Sequence, residues 1–561
     1  MVRDADVKQV RARLWRISHR LVARVADLLP KRTGKPRLLL LADRPGWAFD
    51  VTIQACLPEL RRHFRPVVRY AAARPPIAAR RYDVAVVFFW GETWLRHADL
   101  PWWQVAKNLA SHRYVDPGPY GPCTPRAAAL RHMRDAGTLF AWSARLQRDF
   151  ADTIEPGRCV RIRHGADVGF FRPCPPRSGP FTVGWAGNRK DPVKRFAELV
   201  PPSCAGLAEL EVASGELDHR DMPGFYDRID VMLVTSRHEG KPGPLYEALT
   251  SGCFVVACDV GTVPELIRNH ENGIIVAEAT VAAYRAALAW CQDNLARIRA
   301  ERAAIAARFA QTNAWADAAR EFAAAITGVA RAARLPRFRN DDLGWDTPFT
   351  QFQQFCAAFR RHGFTQIHAI SLHGATCSFA THEGKGVTYP GHANLGALPN
   401  ALIRELSAGK PFAERRDLID LVAAGDDDIA LHGYYHTDYA KMTLAEQRAD
   451  ITRGLEDLDL LFPRKVVRTF VPPFNRFNAD TVAVCREFGL TLLATDGIHF
   501  EERILDPPAL PGAVYRYHHH RFYPETTCTF YPTTMDTLDA ALGKIRAGLV
   551  ARGEILPPTR E

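Results

Sequence analysis

The segment from Val231 to Ile275 constrains the fold of this chain more than any other part of the sequence. Four apolar residues, Val231–Val234, predict a short buried strand, and a loop rich in glycine and proline follows them. A helix is predicted from about Pro244 to Thr250, and a second strand at Phe254–Cys258. Strand, loop, helix and strand in this order predict an α/β unit that binds its ligand at the carboxyl ends of the strands.

Two carboxylates flank the glycine-proline loop of this unit. Glu239 follows the first strand, and Glu247 lies about one turn inside the helix, with seven residues between them. The free N–H groups at a helix N-terminus favour a bound diphosphate. Ionised carboxylates only accept hydrogen bonds, so they suit the hydroxyl groups of a sugar. The alternative is an ordinary α/β unit with both carboxylates on its surface.

This E-x7-E pattern, followed by a turn at Gly261 and by Pro264–Glu265, resembles the donor site of retaining GT-B glycosyltransferases of family 4. The resemblance implies two Rossmann-like domains that face each other across a cleft. It also implies that Glu239 is a catalytic residue near the donor sugar, with Gly240 beside it. Glu247 would bind the ribose of a nucleotide-sugar.

Cations after the first strand of the second Rossmann-like domain complete the expected donor site. The segment FTVGWAGNRKDPVKRF predicts a strand at Val183–Ala186 and then a glycine turn. A strand followed by glycine and cations is, on physical grounds, a phosphate site. The resemblance assigns Lys194 and Arg189 to the donor diphosphate.

The first part of the chain divides into three expected segments. Residues 1–33 predict an amphipathic helix with nine Lys and Arg against three Asp, which gives a net charge of +6. Such a helix lies on an anionic membrane surface or packs on the first domain, and the sequence leaves both open. Residues 34–178 would form the acceptor domain of the GT-B fold, and residues 179–333 the nucleotide-sugar donor domain.

Charge and composition narrow the expected partners. The 561 residues carry a formal net charge of +11, which favours nucleic acid, an anionic membrane or anionic substrates. No zinc finger, aromatic-basic RNA motif or basic tail accompanies the charge, so nucleic acid is not expected as a partner. The twelve cysteines form no CxxC pair, which predicts reduced thiols in the cytoplasm. No apolar run reaches the roughly 18 residues of a membrane span, and no secretory signal is expected.

A second set of polar motifs follows Pro336. A short strand in PRFRNDDLGWD ends in the paired acids Asp341 and Asp342, and IALHGYYHTDY places His432 and His436 four residues apart. That spacing puts both imidazoles on one side of a helical turn or tight loop. One carboxylate and two imidazoles bind a divalent cation and leave coordination positions open. For the histidine pair alone, the alternative is two surface histidines.

With RTFVPPFNRFN, LLATDGIHF and VYRYHHHRFYP after them, these motifs resemble in order those of the polysaccharide deacetylase family, which removes N-acetyl groups from amino sugars. The resemblance implies a distorted (β/α) barrel over residues 336–561. It makes Asp342, His432 and His436 the ligands of a divalent metal, expected to be Zn²⁺. Asp341 would be the base that takes a proton from water.

The resemblance also implies a late histidine that protonates the leaving amine. Three consecutive residues compete for this role, His518, His519 and His520. His519 is chosen because the motif has an apolar residue two positions before the histidine, and Tyr517 fits that position.

Together the resemblances predict a bifunctional α/β carbohydrate enzyme. Its first half would transfer a hexose from a nucleotide-sugar to a glycan or lipid-linked acceptor, in the synthesis of cell-envelope polysaccharide. Its second half would deacetylate an amino sugar. We expect the protein in the cytoplasm, peripheral at the inner face of the cytoplasmic membrane. The alternatives are a glycosyltransferase with an inactive, carbohydrate-binding deacetylase-like domain, and a membrane-associated scaffold without enzymatic activity.

Overall fold

The computed structural model describes residues 34–115, 123–175, 177–374, 398–494, 497–523 and 533–555. The helix expected over residues 1–33 lies outside this part of the chain. The described residues form three successive parallel β-sheets flanked by helices, which confirms the predicted α/β class. None of the described helices is both long and apolar enough to cross a membrane.

The first sheet contains six strands in the order β2-β1-β3-β4-β5-β6. Helices cover both of its faces, which explains the unbroken apolar sequence RLLLLA of its first strand. The strands are β1 (Arg37–Ala42), β2 (Arg65–Tyr70), β3 (Val84–Val87), β4 (Val105–Leu109), β5 (Thr138–Ala141) and β6 (Cys159–Arg161). The helices are α1 (Ala48–His63), α2 (Pro125–His132) and α3 (Ala144–Asp149).

The second sheet contains five strands in the order β11-β10-β9-β7-β8. Its strands are β7 (Thr182–Ala186), β8 (Glu209–Ala213), β9 (Val231–Val234), β10 (Phe254–Cys258) and β11 (Gly273–Val276). Its helices are α4 (Phe196–Cys204), α5 (Met222–Asp227), α6 (Gly243–Thr250), α7 (Val263–Leu266), α8 (Val281–Asp293) and α9 (Leu295–Asn313). The first two sheets are the expected pair of Rossmann-like domains.

Helix α10 (Trp315–Arg334) returns to the first sheet. Its Phe322 packs against Phe88 and Phe140, inside the core that covers one face of that sheet. The expected donor domain over residues 179–333 therefore includes a helix whose apolar stripe is buried in the other domain.

The third sheet contains seven strands in the order β16-β15-β14-β13-β12-β18-β17. Its two outermost strands do not pair with each other among the described residues, so the sheet forms the expected distorted, open barrel. The strands are β12 (Arg337–Leu343), β13 (Gln366–Ile370), β14 (Asp428–Leu431), β15 (Thr469–Phe470), β16 (Thr491–Leu492), β17 (Ile498–His499) and β18 (Val514–His518). The helices are α11 (Phe349–Arg361), α12 (Asn400–Ser407), α13 (Arg416–Ala424), α14 (Leu444–Leu461), α15 (Ala479–Phe488) and α16 (Met535–Ala551).

The first and third sheets share a buried interface. The Arg468 guanidinium, just before β15, donates to both carboxylate oxygens of Glu155 at 2.6 and 2.8 Å. The indole N–H of Trp102 donates to Oγ1 of Thr469 at 2.9 Å. Trp102 and the barrel residue Val471 also belong to one apolar cluster. The first and third sheets are therefore joined by packing as well as by the covalent chain.

Candidate functional sites

A cleft of about 600 Å³ separates the first two sheets. Arg44, Trp47 and Arg113 line it from the first sheet, and Glu239 and Lys241 line it from the second. These residues follow the carboxyl ends of parallel strands, where ligands of open α/β sheets bind. The cleft therefore lies where the E-x7-E loop predicted a binding site.

The structure brings two of the predicted donor residues into direct contact. The Lys194 ammonium forms an ion pair with Oε1 of Glu239. Burial raises the pKa of Glu239, but the Lys194 charge and hydrogen bonds from Lys194 and Ser236 together outweigh burial, and the net shift is downwards. Glu247, inside helix α6, accepts a hydrogen bond of 2.8 Å from the Tyr226 hydroxyl. The tyrosine thus fixes the orientation of the second carboxylate.

Two glycines let the donor loop approach the opposite wall. A Cβ on Gly240 would lie 1.9 Å from the carbonyl oxygen of Ala110, which belongs to the first sheet's wall. Gly261 has a φ of +51°, and a Cβ there would lie 2.6 Å from the carbonyl oxygen of Gly240. Only glycine fits both positions, because the contacts are with backbone atoms.

The cations expected at the donor site, and one further cation, lie in different surroundings. Arg189 forms an ion pair with Glu216, and its side chain is 46% exposed. Lys241 lines the cleft next to Gly240, although the sequence analysis did not select it. Burial lowers the pKa of Lys241 to about 8, and its ammonium lies 5.0 Å from the centre of the Tyr246 ring. Its place directly after Glu239–Gly240 was the signal that could have identified it.

The barrel brings Asp342, His432 and His436 into one cluster. Oδ1 of Asp342 lies 3.1 Å from Nε2 of each histidine, and the two Nε2 atoms lie 3.2 Å apart. All three side chains are buried. Burial raises the pKa of Asp342, but the contacts of its carboxylate with the two histidines outweigh burial and hold this pKa well below its ordinary value.

This cluster fits a divalent metal. Nδ1 of His432 lies 2.8 Å from the carbonyl oxygen of Val471, which can only accept, so this nitrogen carries the proton. The lone pair of Nε2 then faces a carboxylate oxygen, an arrangement that a shared cation stabilises. One carboxylate oxygen and two imidazole nitrogens are a donor set typical of zinc.

An irregularity in strand β12 turns Asp342 into the barrel. The register advances by three residues on β12 against two on β13 between Asn340 and Leu343, which is a one-residue bulge. Asp342 itself has a φ of +66°, in the left-handed region that a non-glycine residue rarely adopts. The bulge interrupts the strict alternation of strand side chains.

Asp341 is held by an arginine from its own strand. Both of its carboxylate oxygens accept from the fully buried Arg339 guanidinium, with Nε 2.7 Å from Oδ1. The same guanidinium also donates to Oδ1 of Asn475 at 2.7 Å and to the carbonyl oxygen of Ala494 at 2.6 Å. Asp341 is therefore held in one orientation beside the cluster of Asp342, His432 and His436.

The structure places His518, and not the chosen His519, against the cluster. Nε2 of His518 lies 3.7 Å from Oδ2 of Asp342, and its Nδ1 lies 3.1 Å from Oε1 of the buried Glu501. Burial lowers the pKa of His518, but Glu501 outweighs burial and raises it to about 9. Side chains alternate along β18, so Tyr517 faces the outer core while its neighbour His518 faces the barrel interior.

His519 lies in the outer core, where its ring contacts Phe352 and Phe355. Its backbone N–H donates to Oδ1 of Asn340 at 3.0 Å. Burial lowers the pKa of His519 to about 3. His519 was selected from the sequence because Tyr517 lies two positions before it. The side chain of Tyr517 points into this same outer core.

Two family models match the chain. One, described as glycosyl transferases group 1, covers residues 181–294, and the other, described as polysaccharide deacetylase, covers residues 407–493. The chain joins a group 1 glycosyltransferase domain to a polysaccharide deacetylase domain.

One curated relative is similar to part of this fusion. The lipopolysaccharide core biosynthesis mannosyltransferase LpsB of Rhizobium meliloti (strain 1021) is 31% identical over 181 residues, which is 30% of this chain and 50% of that protein. This chain thus spans about half the length of that relative.

Two solved structures are each similar to part of this chain. Anabaena Alr3699/HepE, in complex with UDP, is 16% identical with a TM-score of 0.40, over 52% of this chain and 100% of that chain. BA3943, a CE4 family pseudoenzyme from Bacillus anthracis, is 12% identical with a TM-score of 0.25, over 38% of this chain and 61% of that chain.

Sequence reasoning missed two residues of the deacetylase domain, Arg339 and Glu501, and among the three candidate histidines it chose His519 over His518. Arg468, the arginine that opens the segment RTFVPPFNRFN, lies at the interface with Glu155. Arg339 lies two positions before Asp341, and side chains two positions apart on a strand point to the same face. This spacing along β12 could have identified Arg339 as a partner of Asp341. Nothing in the sequence marked Glu501, since its contact with His518 joins two separate segments of the barrel.

Proposed function

We propose that this protein is a bifunctional carbohydrate enzyme. Its glycosyltransferase domains transfer a hexose from a nucleotide-sugar, and its deacetylase domain removes an acetyl group from an amino sugar with a bound divalent metal. The observation that carries the proposal is the convergence of Asp342, His432 and His436, whose ligand atoms lie 3.1–3.2 Å apart in a chain that also has an E-x7-E cleft.

In the cleft, the donor is held by the loop after β9 and helix α6. Glu247, oriented by Tyr226, accepts hydrogen bonds from the ribose hydroxyls. Lys194 and Lys241 neutralise the diphosphate, and Glu239 lies beside the transferred sugar. The name of the relative, a lipopolysaccharide core mannosyltransferase, supports a hexose donor and a glycolipid acceptor. A retaining outcome is part of this proposal.

In the barrel, each group has one role. A Zn²⁺ ion held by Asp342, His432 and His436 would polarise the amide carbonyl and make a bound water more acidic. Asp341 accepts the proton of the attacking water, and the Arg339 guanidinium holds this carboxylate in a fixed orientation.

His518 is the proposed proton donor for the leaving amine. It lies against Asp342, and the Glu501 carboxylate fixes its ring through Nδ1. As the C–N bond of the amide breaks, the proton moves from Nε2 of His518 to the amine nitrogen. The products are acetate and the free amino sugar, and the proton on Asp341 returns to His518 through solvent.

A screen of nucleotide-sugars with the intact protein tests both reactions in one mixture. We expect release of a nucleotide and, with N-acetylated acceptors or products, release of acetate. Glu247→Ala should weaken nucleotide binding by about 1.5–3 kcal/mol, because it removes hydrogen bonds to the ribose. Nucleotide release without acetate and without bound metal would support an inactive, carbohydrate-binding barrel. Absence of nucleotide binding would support the scaffold.

A further inference from the structure

The first sheet supplies one wall of the cleft, and this wall carries positive charge. Arg44 and Trp47 follow strand β1, and Arg113 follows strand β4, so all three side chains lie at the same edge of the sheet. We name these three residues the arginine wall. Among the described residues neither of its guanidinium groups forms an ion pair, although both line the cleft.

The arginine wall also carries an exposed aromatic ring. The Trp47 side chain is 55% exposed, and the Arg44 guanidinium lies 4.8 Å from the centre of its ring. A large apolar surface of this kind packs on the face of a sugar, and the indole N–H supplies a polar edge. An arginine beside it binds a carboxylate or phosphate through two parallel N–H groups.

The opposite wall already supplies cations for the donor. Lys194 is paired with Glu239, and Lys241 follows the same loop into the cleft. The positive charge of Arg44 and Arg113 is therefore additional to what a diphosphate on the second sheet requires.

A buried acceptor atom lies beside these cations. Oδ1 of Asp43, which also lines the cleft, is buried and has no hydrogen-bond partner among the described residues. A buried carboxylate oxygen without a partner is costly, and a hydroxyl donated by a bound sugar would satisfy it.

From these observations we propose that the arginine wall binds an anionic glycan acceptor. One sugar ring stacks on Trp47 and donates a hydroxyl to Asp43, while Arg44 and Arg113 pair with a carboxylate or phosphate on the same or the next sugar. The inference rests on the proposed glycosyl transfer and specifies the acceptor class of that site.

Binding of three trisaccharide probes to the intact protein tests this assignment. The probes are trigalacturonate, a maltotriose monophosphate and neutral maltotriose, which separate a carboxylate, a phosphate and no charge. We expect at least one acidic probe to bind about tenfold more tightly than maltotriose, and that advantage to fall as salt rises.

Single substitutions test which residues cause the tighter binding of acidic probes. Arg44→Gln and Arg113→Gln should each weaken binding of the acidic probe about tenfold and change maltotriose binding less than about twofold. Arg220→Gln is the matched control, because it removes a cation whose side chain is 85% exposed in the second domain. Trp47→Ala should weaken binding of all three probes.

Other outcomes overturn the assignment. Equal binding of acidic and neutral probes, or binding of none, contradicts an anionic acceptor. If Arg44→Gln and Arg113→Gln weaken binding of UDP and GDP and leave the trisaccharides unchanged, the wall binds the donor diphosphate instead. Nucleotide release with water as the only acceptor reports on cleavage of the donor in the proposed donor site, so failure of that function is distinguishable from failure of this inference.

Discussion

At the scale of single residues, Asp341 and Asp342 are adjacent but have different partners. Asp342 faces two imidazoles, whereas Asp341 faces the Arg339 guanidinium. Asp342→Asn should therefore lose bound metal and deacetylation, because a three-ligand site loses one ligand. Asp341→Asn should keep the metal and deacetylate roughly 10²–10⁴-fold more slowly, because only the base is lost.

Metal content by elemental analysis and the rate of acetate release, measured on each variant, test these two predictions. Neither substitution should change glycosyl transfer, which provides the internal control. Loss of metal from Asp341→Asn, with retention by Asp342→Asn, would reverse the two roles. If both variants keep metal and activity, the barrel is not a metal-dependent deacetylase.

The neighbouring histidines His518 and His519 allow a second comparison of variants at this scale. His518→Gln should slow deacetylation by roughly 10²–10⁴-fold and leave metal content unchanged, since it removes the proposed proton donor. His519→Gln is the matched neighbour, and it should lower thermal stability more than turnover, because His519 is packed in the outer core. Turnover and melting temperature of both variants distinguish the two positions. The reverse ranking would restore the assignment made from sequence.

At the scale of elements, the sequence predicted the bounds of strands better than it predicted which elements contact each other. Strands β9 and β10 have the predicted bounds, because each is a continuous apolar run bordered by turn residues. The cluster of candidate metal ligands could be recognised because Asp342 and the His432–His436 pair are local motifs. The partner of Arg468 could not be predicted from the sequence, since whether an arginine reaches Asp341 or Glu155 depends on which elements pack together. Spacing along one segment does not contain that information.

The donor loop makes a prediction at the same scale. Gly240→Ala places a Cβ 1.9 Å from the Ala110 carbonyl oxygen, so the loop must move away from the opposite wall. Overpacking of this kind costs about 1–3 kcal/mol, and that cost should appear as weaker nucleotide binding. Calorimetric titration with the active nucleotide measures it. Gly328→Ala is the matched control, because its Cβ meets nothing within 4 Å. Equal affinity in both variants would contradict the close approach.

At the scale of the whole molecule, the basic N-terminal segment bears on location. Residues 1–33 carry a net charge of +6, nine basic against three acidic residues, and have a predicted apolar stripe. We expect sedimentation with vesicles that contain anionic lipid, and we expect it to fade as salt rises, because screening weakens the attraction. Removal of residues 1–33 should abolish the effect. Equal sedimentation with neutral vesicles would exclude attraction to anionic lipid as the cause.

The interface between the first and third sheets predicts that the two halves are stabilised together. Burial raises the pKa of Glu155, but the charge and hydrogen bonds of Arg468, with smaller contributions from Arg158 and the Val466 N–H, together outweigh burial and lower it to about 2, from an ordinary value of 4.5. A carboxyl whose pKa is depressed in the folded state stabilises fully above its unfolded pKa, and this contribution is lost as pH falls from about 4.5 towards 2. A shift of this size corresponds to about 3 kcal/mol.

Glu155→Gln tests the interface at neutral pH. The substitution leaves the buried Arg468 guanidinium without its counter-charge, so unfolding should require about 3–5 kcal/mol less free energy. Urea unfolding followed by tryptophan fluorescence measures the loss, and the variant should lack the wild-type decline in stability between pH 4.5 and 2 that belongs to Glu155. Glu198→Gln removes an exposed carboxylate paired with Arg195 and should change little. If both variants unfold like the wild type, the two halves fold independently and the ion pair does not couple them.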